Sequence, residues 1–185
     1  MIHIILYISI ILSLVWGRFR FFKVNSGTTQ LNLIFYDLAV AVQILFTVYY
    51  MTRSSDLVPL LVYLSFLLYL SGLLIFWWSI FTAKSLDFAF SDRVGSIVTS
   101  GPFRLVRHPF YISYILVWLS SSLLFNSPAL WISLFYLIAF YILSARKEEK
   151  VILGSVYSEE YKNYVQDVGM FLPRINKWKL SNSEP

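Results

Sequence analysis

Long apolar segments alternate with short polar ones along most of this chain. A membrane-spanning helix needs about 20 predominantly apolar residues, within a range of about 17 to 25. Five segments approach or exceed that length, namely residues 2–16, 31–51, 57–83, 109–125 and 128–144, and the first is marginally short. The hydrophobic pattern therefore predicts five transmembrane helices.

The composition supports a membrane setting. Hydrophobic residues make up 58% of the 185 residues, charged residues only 14%, and the mean hydropathy is +0.67, which exceeds the apolar content of ordinary soluble domains. The chain contains no internal repeat. We therefore expect an all-α integral membrane protein in which residues 1–185 form a single membrane domain. Residues 1–83 would contain three N-terminal spans, and residues 84–173 a loop, a C-terminal helical hairpin and a cytoplasmic amphipathic tail.

The distribution of lysine and arginine predicts the orientation. With five spans, fourteen of the fifteen lysine and arginine residues fall on one side, and only Arg53 falls on the other. Cytoplasmic loops carry the excess of positive charge. We therefore expect the amino terminus outside, and the tail and the loops after the first and third spans in the cytoplasm. This asymmetry explains the net charge of +5 without a nucleic-acid partner, and it favours contact with anionic membrane lipids.

Several classes of site are excluded by missing residues. The chain has no cysteine, so disulfides, thiolate nucleophiles and thiolate metal sites are absent. His3 and His108 are far apart in the predicted topology, which excludes a histidine metal cluster. No GxGxxG, GxxxxGK[ST] or GxSxG pattern occurs. Any cofactor must therefore bind at the membrane helices and their cytoplasmic ends, and we expect no metal.

The run GPFRLVRHPFY at residues 101–111 places three basic side chains directly before the fourth apolar segment. Pro109 is expected at the first helical position, where its missing N–H costs nothing, and His108 is then the predicted cap. The amino terminus of a helix favours a carboxylate or a phosphate, and Arg104 and Arg107 add positive charge. Because ionisable groups near hydrocarbon are costly, this run is the first candidate for a functional site.

The last two apolar segments predict a hairpin with equal arms. Residues 109–125 and 128–144 are each 17 residues long, about 25 Å as helices, and only Asn126-Ser127-Pro128 joins them. Arg146, Glu148 and Glu149 should therefore arrive beside His108 and form a site for a zwitterionic or polyhydroxylated ligand. The alternative interpretation is structural: arginines as orientation signals, a histidine cap and a solvated acidic helix end.

The tail predicts one more helix. Ser158 followed by Glu159 and Glu160 is typical of a helix start, and an apolar stripe with spacings of three and four residues is typical of an amphipathic helix; its members are Leu153, Tyr157, Tyr161, Tyr164 and Val168. Such a helix would lie on the membrane, and it is compatible with a lid over a cofactor. Asp37, near the cytoplasmic end of the second span, is a further candidate because a membrane carboxylate is costly.

Several separated motifs resemble a known family. The stretch IVTSGPFRLVRHPFY at residues 97–111, RKEE at residues 146–149, Glu159-Glu160-Tyr161 with Tyr164 and Val165, and the closing VGMFLPRI resemble the C-terminal half of the isoprenylcysteine carboxyl methyltransferases, a membrane methyltransferase superfamily that also includes phospholipid methyltransferases. The resemblance implies S-adenosyl-L-methionine as cofactor and a lipophilic, prenylated or lipid, substrate entering from the bilayer. It implies a cytoplasm-facing active site in a bacterial inner membrane or the endoplasmic reticulum. It does not indicate an oligomeric state.

The resemblance also implies roles for individual residues. The cofactor would contact Ile97, Val98, Phe103, His108, Pro109, Phe110 and Tyr111, together with Glu148 or Glu149. Arg146 would bind the substrate carboxylate, and Arg146 and Glu149 would be the catalytic residues. Two departures matter: Ser113 stands where the family often has glycine, and the spacing from the glutamate pair to Glu160-Tyr161 is about one residue long, which affects the register of Arg146 and the glutamates.

Three functions are compatible with these patterns. Methylation of a carboxylate on a prenylcysteine-like lipid needs no general base, because the carboxylate is already ionised at neutral pH; methylation of a phospholipid amine needs one, from His108 or a glutamate. An NADPH-dependent reductase of the sterol type would share the hairpin. Binding the several phosphates of NADPH would require more basic residues than this chain has. A non-enzymatic membrane binding protein, which would bind no adenosyl cofactor, is the third alternative.

Overall fold

The computed structural model describes residues 2–21, 30–54, 57–83 and 97–174. Within them the chain forms six α-helices and no strand: α1 (Ile2–Trp16), α2 (Gln30–Arg53), α3 (Pro59–Ala83), α4 (Pro109–Phe125), α5 (Pro128–Leu153) and α6 (Ser158–Asp167). A π-helical turn, Gly17–Phe21, extends α1, and a 3-10 turn, Gly101–Arg104, precedes α4. Residues 84–96 of the predicted loop lie outside the described residues, as do five members of the charge count, Lys23, Lys84, Arg93, Lys177 and Lys179.

Four helical stretches are long and apolar enough to cross a membrane, namely His3–Phe21, Leu31–Arg53, Pro59–Ala83 and Pro128–Leu153. Within the described residues the all-helical prediction is thus confirmed, and four of the predicted spans are helices of sufficient length and apolarity. The helix α4 has the predicted bounds, but its 17 residues make it shorter than the other four. The count of five spans therefore stays a prediction.

The fifth helix does not end where its apolar segment ends. We predicted residues 128–144, whereas α5 continues to Leu153. The residues after Ser144 are Ala145, Arg146, Lys147 and two glutamates, which are good helix formers, and the first glycine follows only at Gly154. The last turns of α5 therefore carry the acidic pair on a rigid helix.

The helix α4 lies against α3 and α5, and most of its residues are buried. Gly72 permits the contact with α3, because a Cβ atom there would lie 2.9 Å from Val117 Cγ2 and 3.0 Å from the carbonyl oxygen of Ser113. Close approach of membrane helices typically depends on such small residues. Gly72 thus lies directly against the backbone of Ser113 on the facing helix.

A buried amide joins α2 to α5. Gln43 Nε2 donates to the carbonyl oxygen of Leu130 at 2.8 Å and to Ser133 Oγ at 2.9 Å. Hydrogen bonds between membrane helices orient them where hydrophobic burial offers little preference. Together with the α3–α4 contact, this bond positions both arms of the hairpin.

Candidate functional site

The hairpin of α4 and α5 brings two distant parts of the sequence together. Asn126 has a left-handed backbone with φ of 46°, and Ser127 is extended before Pro128, so the connection is tight. The chain therefore reverses directly, and the start of α4 lies beside the last turns of α5. This confirms the predicted turn, and the longer α5 places the acidic pair on helix rather than in a loop.

Five side chains form what we call the charged cluster: Arg107, His108, Tyr111, Glu148 and Glu149. Arg107 Nε donates to Glu149 Oε1 at 2.8 Å, and His108 Nε2 lies 3.0 Å from the same oxygen. His108 Nδ1 lies 3.5 Å from Glu148 Oε2, and the Tyr111 hydroxyl donates to Glu148 Oε1. The side chains of Arg107 and Glu149 are only 7% and 13% exposed, so this ion pair is largely shielded from solvent.

The two glutamates determine the charge of His108. Burial alone lowers the pKa of His108, but hydrogen bonds to Glu148 and Glu149 and their negative charges raise it more, so that it lies above its ordinary value of 6.5. Both ring nitrogens face carboxylate oxygens, and only the imidazolium can donate from both. The two carboxylates thus favour the protonated form of His108. A histidine in this state does not serve as a general base.

We expect the charged cluster to weaken at alkaline pH. Because the folded-state pKa of His108 is raised, its contribution to stability is present below the unfolded pKa and is lost as the pH rises through the folded value. The melting temperature of the wild type should exceed that of His108→Gln below the ordinary histidine pKa of 6.5, and the difference should shrink as the pH rises through the raised value. Melting curves of the two purified proteins across this range test the expectation. A difference that stays constant would contradict it.

The chain after α6 closes over the charged cluster. Residues 168–172, which we call the closing segment, run beside the start of α4: Arg107 N–H donates to Gly169 O at 2.9 Å, and His108 N–H donates to Met170 O at 3.2 Å. The Arg107 guanidinium also donates to Val168 O. The ring of Phe171 lies 5.9 Å from that of His108. The backbone of the tail therefore positions both basic side chains.

The helix α6 supports this arrangement. Tyr161 is buried. Its burial and, as a smaller effect, the negative charge of Glu149 raise the pKa of Tyr161, so its hydroxyl keeps its proton. Tyr164 donates to the carbonyl oxygen of Phe103 in the 3-10 turn. Both tyrosines belong to the predicted amphipathic stripe. The tail helix thus packs against the two segments that carry the site.

Several predicted cofactor residues lie beside the charged cluster rather than in it. The rings of Phe103 and Phe110 are buried 6.1 Å apart, and Phe110 also contacts Phe76 of α3 at 5.9 Å. Val98 packs against this aromatic group, and Pro109 is the buried first residue of α4. These side chains form an apolar floor next to the cluster.

Two predicted residues lie apart from the charged cluster. Arg146 is exposed on α5, and Ile97 is half-buried at the start of the described loop. The arginine inside the cluster is instead Arg107, which the sequence indicated only as charge near the helix start. The closing segment was visible in the sequence as part of VGMFLPRI, but nothing in its composition indicated that its carbonyl groups accept hydrogen bonds from residues 107 and 108.

The chemistry of the cluster fits S-adenosylmethionine. That cofactor has hydroxyl and ammonium donors, for which carboxylates such as Glu148 and Glu149 are acceptors, and a purine that stacks on aromatic rings. Phe171, which is half-buried and lies with its ring 5.9 Å from that of His108, is such a ring.

Comparison with known proteins provides one match. Residues 60–160 match the family model described as phospholipid methyltransferase. The matched range contains most of α3, all of α4 and α5, the 3-10 turn, and every side chain of the charged cluster. Neither a curated protein nor a solved structure matches the chain significantly.

Proposed function

Because the chain belongs to the phospholipid methyltransferase family, and is therefore a multi-pass membrane methyltransferase acting on lipids, we propose that it transfers a methyl group from S-adenosylmethionine to the polar head of a lipid. The observation that carries the proposal is the meeting of Glu148 and Glu149 with His108 across the hairpin. We place this site at the cytoplasmic face, on the strength of the positive charge distribution.

The residues divide into binding and orienting groups. When bound, S-adenosylmethionine supplies a methyl group carried on a sulfonium sulfur. The sulfur keeps the electron pair of the carbon–sulfur bond that breaks. Glu149 is engaged by both Arg107 and His108, so we assign it to shaping the pocket. Glu148 faces Tyr111 and His108 and is assigned to cofactor or acceptor contact. Positioning and exclusion of water are the main rate effects that such a site provides.

The acceptor is either a carboxylate or an amine. A prenylcysteine-like carboxylate would be bound by Arg146, as the resemblance implies, and would need no base. A phospholipid ammonium must first lose a proton, and Glu148 is the group that we assign to accept it, since the two carboxylates favour the protonated form of His108. The exposure of Arg146 outside the cluster and the family match favour the amine. We therefore propose a phospholipid amine as the acceptor and keep the prenylated carboxylate as the second candidate.

Binding and transfer experiments test this function separately. Calorimetric titration of the detergent-purified protein with S-adenosylmethionine should give saturable binding, and titration with NADPH should give none; the reverse result would favour the reductase. Transfer of labelled methyl groups to phosphatidylethanolamine vesicles and to N-acetyl-S-farnesylcysteine then distinguishes the two acceptors. Methylation of the farnesylcysteine alone, lost in Arg146→Ala while cofactor binding persists, would overturn the amine assignment.

A further inference from the structure

Several polar side chains lie inside the helix bundle, away from the charged cluster. Tyr7 of α1 is 1% exposed, and Gln43 and Thr47 of α2 are fully buried, although all three carry groups that form hydrogen bonds. In the hydrocarbon region of a membrane, polar groups must find their partners within the protein. Buried polar groups without partners are costly and rare. The surroundings of these three side chains therefore need a physical explanation.

Four helices meet at Tyr7. Its ring packs against that of Tyr69 of α3, with 5.5 Å between the ring centres, and its hydroxyl is within interaction range of Thr47 of α2 and Ser121 of α4. The Tyr69 hydroxyl and Ser121 Oγ form a hydrogen bond at 2.7 Å. Hydroxyl groups from four helices thus converge at one place, which we call the hydroxyl cluster: Tyr7, Thr47, Tyr69 and Ser121.

Two members of the hydroxyl cluster lack a direct partner. Neither the Tyr7 hydroxyl nor Thr47 Oγ1 forms a hydrogen bond of normal geometry with any residue that the structure describes, and the same is true of Gln43 Oε1. Gln43 lies one helical turn before Thr47, on the same face of α2. Its Nε2 is engaged by Leu130 and Ser133. Two hydroxyls and one amide oxygen are therefore left with unused hydrogen-bonding capacity inside the bundle.

These three groups suit an ordered water molecule. A buried water typically makes about three hydrogen bonds to polar groups that are otherwise unpaired. A hydroxyl both donates and accepts, whereas an amide oxygen only accepts, so one water can donate to Gln43 Oε1 and form hydrogen bonds with Tyr7 and Thr47. The groups are neutral, which gives a cation little attraction, and side chains at most 1% exposed do not suit a ligand that also reaches the surface.

We propose that an ordered water molecule binds at the hydroxyl cluster and bridges Tyr7 of α1 to Thr47 and Gln43 of α2. The bridge supplies the hydrogen bonds that the described side chains do not make directly. This inference is independent of the proposed methyl transfer, because none of its residues belongs to the charged cluster.

The water joins α1 to α2 within the membrane region. The helix α1 packs against α3, where Trp77 Nε1 donates to Ser13 Oγ at 3.1 Å. Toward α2, the exposed ion pair of Arg18 with Asp37, at 3.2 Å, connects the turn that follows α1, and an exposed pair contributes little to stability. Tyr7 lies about 16 Å from Arg18 along the helix. The water therefore provides a second, buried connection between α1 and α2.

Hydroxyl-radical footprinting with X-rays detects such a water in the detergent-purified full chain. The X-ray pulse converts water into hydroxyl radicals, which oxidise the nearest aromatic ring, and mass spectrometry locates the added oxygen. After correction for intrinsic reactivity, Tyr7 should be oxidised at least about fivefold faster than Phe76. Phe76 is equally buried, at 1% exposure, and packs among aromatic rings. Equal protection of the two rings overturns the proposal.

Substitution of Thr47 tests whether its hydroxyl binds the water. Thr47→Val keeps the shape of the side chain, so the oxidation of Tyr7 should slow at least about twofold and the melting temperature should fall. Removing a hydroxyl that has no partner would instead raise the melting temperature or leave it unchanged, and that result overturns the proposal.

Ser79→Ala is the control for loss of a buried hydroxyl. Ser79 Oγ donates to the carbonyl oxygen of Ile75 within its own helix, so this substitution should leave the oxidation of Tyr7 unchanged. Equal slowing of Tyr7 oxidation in Thr47→Val and Ser79→Ala would also overturn the proposal, because the effect would then not be specific to the hydroxyl cluster.

Discussion

Glu149→Gln should disable the site and destabilise the protein. The substitution keeps the shape of the side chain but removes the charge that pairs with Arg107 at 2.8 Å and with His108 at 3.0 Å. Removing one partner of a buried pair costs about 3–5 kcal/mol, because the other charge is left unpaired, and a retained amide oxygen should keep the cost near the low end of that range. The affinity for S-adenosylmethionine should fall at least about tenfold, about 1.4 kcal/mol. Thermal unfolding and calorimetric titration measure the two effects.

A matched control and a double variant separate this effect from a general loss of acidic charge. Glu159 pairs with Lys162 on α6, where the two side chains are 84% and 54% exposed, so Glu159→Gln should leave stability and cofactor affinity unchanged. Adding Arg107→Gln to Glu149→Gln should recover part of the lost stability, since no unpaired arginine remains. Equal melting temperatures for wild type and Glu149→Gln would show that the pair does not matter.

Gly169→Ala should detach the closing segment. A Cβ atom at Gly169 would lie 1.9 Å from the carbonyl oxygen of Leu172, a backbone atom that cannot move without opening the turn. Opening it would break the hydrogen bonds that Gly169 and Met170 accept from the backbone of Arg107 and His108. At about 1 kcal/mol each, together with the bond from Arg107 to Val168, the loss is about 3 kcal/mol.

Hydrogen exchange measures this detachment directly. The amides of residues 107 and 108 should exchange faster in Gly169→Ala, and S-adenosylmethionine should bind more weakly because both basic side chains lose their backbone support. Gly154→Ala is the control, since its Cβ would meet nothing closer than the Val151 carbonyl oxygen at 3.5 Å. Unchanged exchange at residues 107 and 108 in Gly169→Ala would mean that the closing segment tolerates the side chain by another route.

Local signals were sufficient for most of the helices. The start of α4 at Pro109 and the start of α6 at Ser158 follow from preferences at the ends of helices, and both were predicted at the observed residue. The end of α5 was not, because the hydrophobic pattern reports only the apolar part of a helix and is silent on a polar continuation. The bounds of a membrane helix are thus predictable only where its apolar segment or a cap marks them.

Some features of the candidate site were predictable from the sequence, and others were not. The meeting of His108 with the two glutamates was predictable from arm lengths and a tight turn, since helix rise converts residue counts into distance. The side-chain directions were not predictable, because a rotation of about 100° for each residue along α5 decides which members of RKEE face α4. For this reason Arg146 is exposed, while Glu148 and Glu149 reach His108.

The sequence alone determined the membrane class, the helical segments, the hairpin and the family resemblance, because these depend on residue type, length and order along the chain. Only the tertiary structure decided that Arg107 rather than Arg146 belongs to the charged cluster and that the backbone of residues 169 and 170 supports it. Those features depend on the rotation of helices about their axes and on contacts between distant segments, which no local pattern specifies.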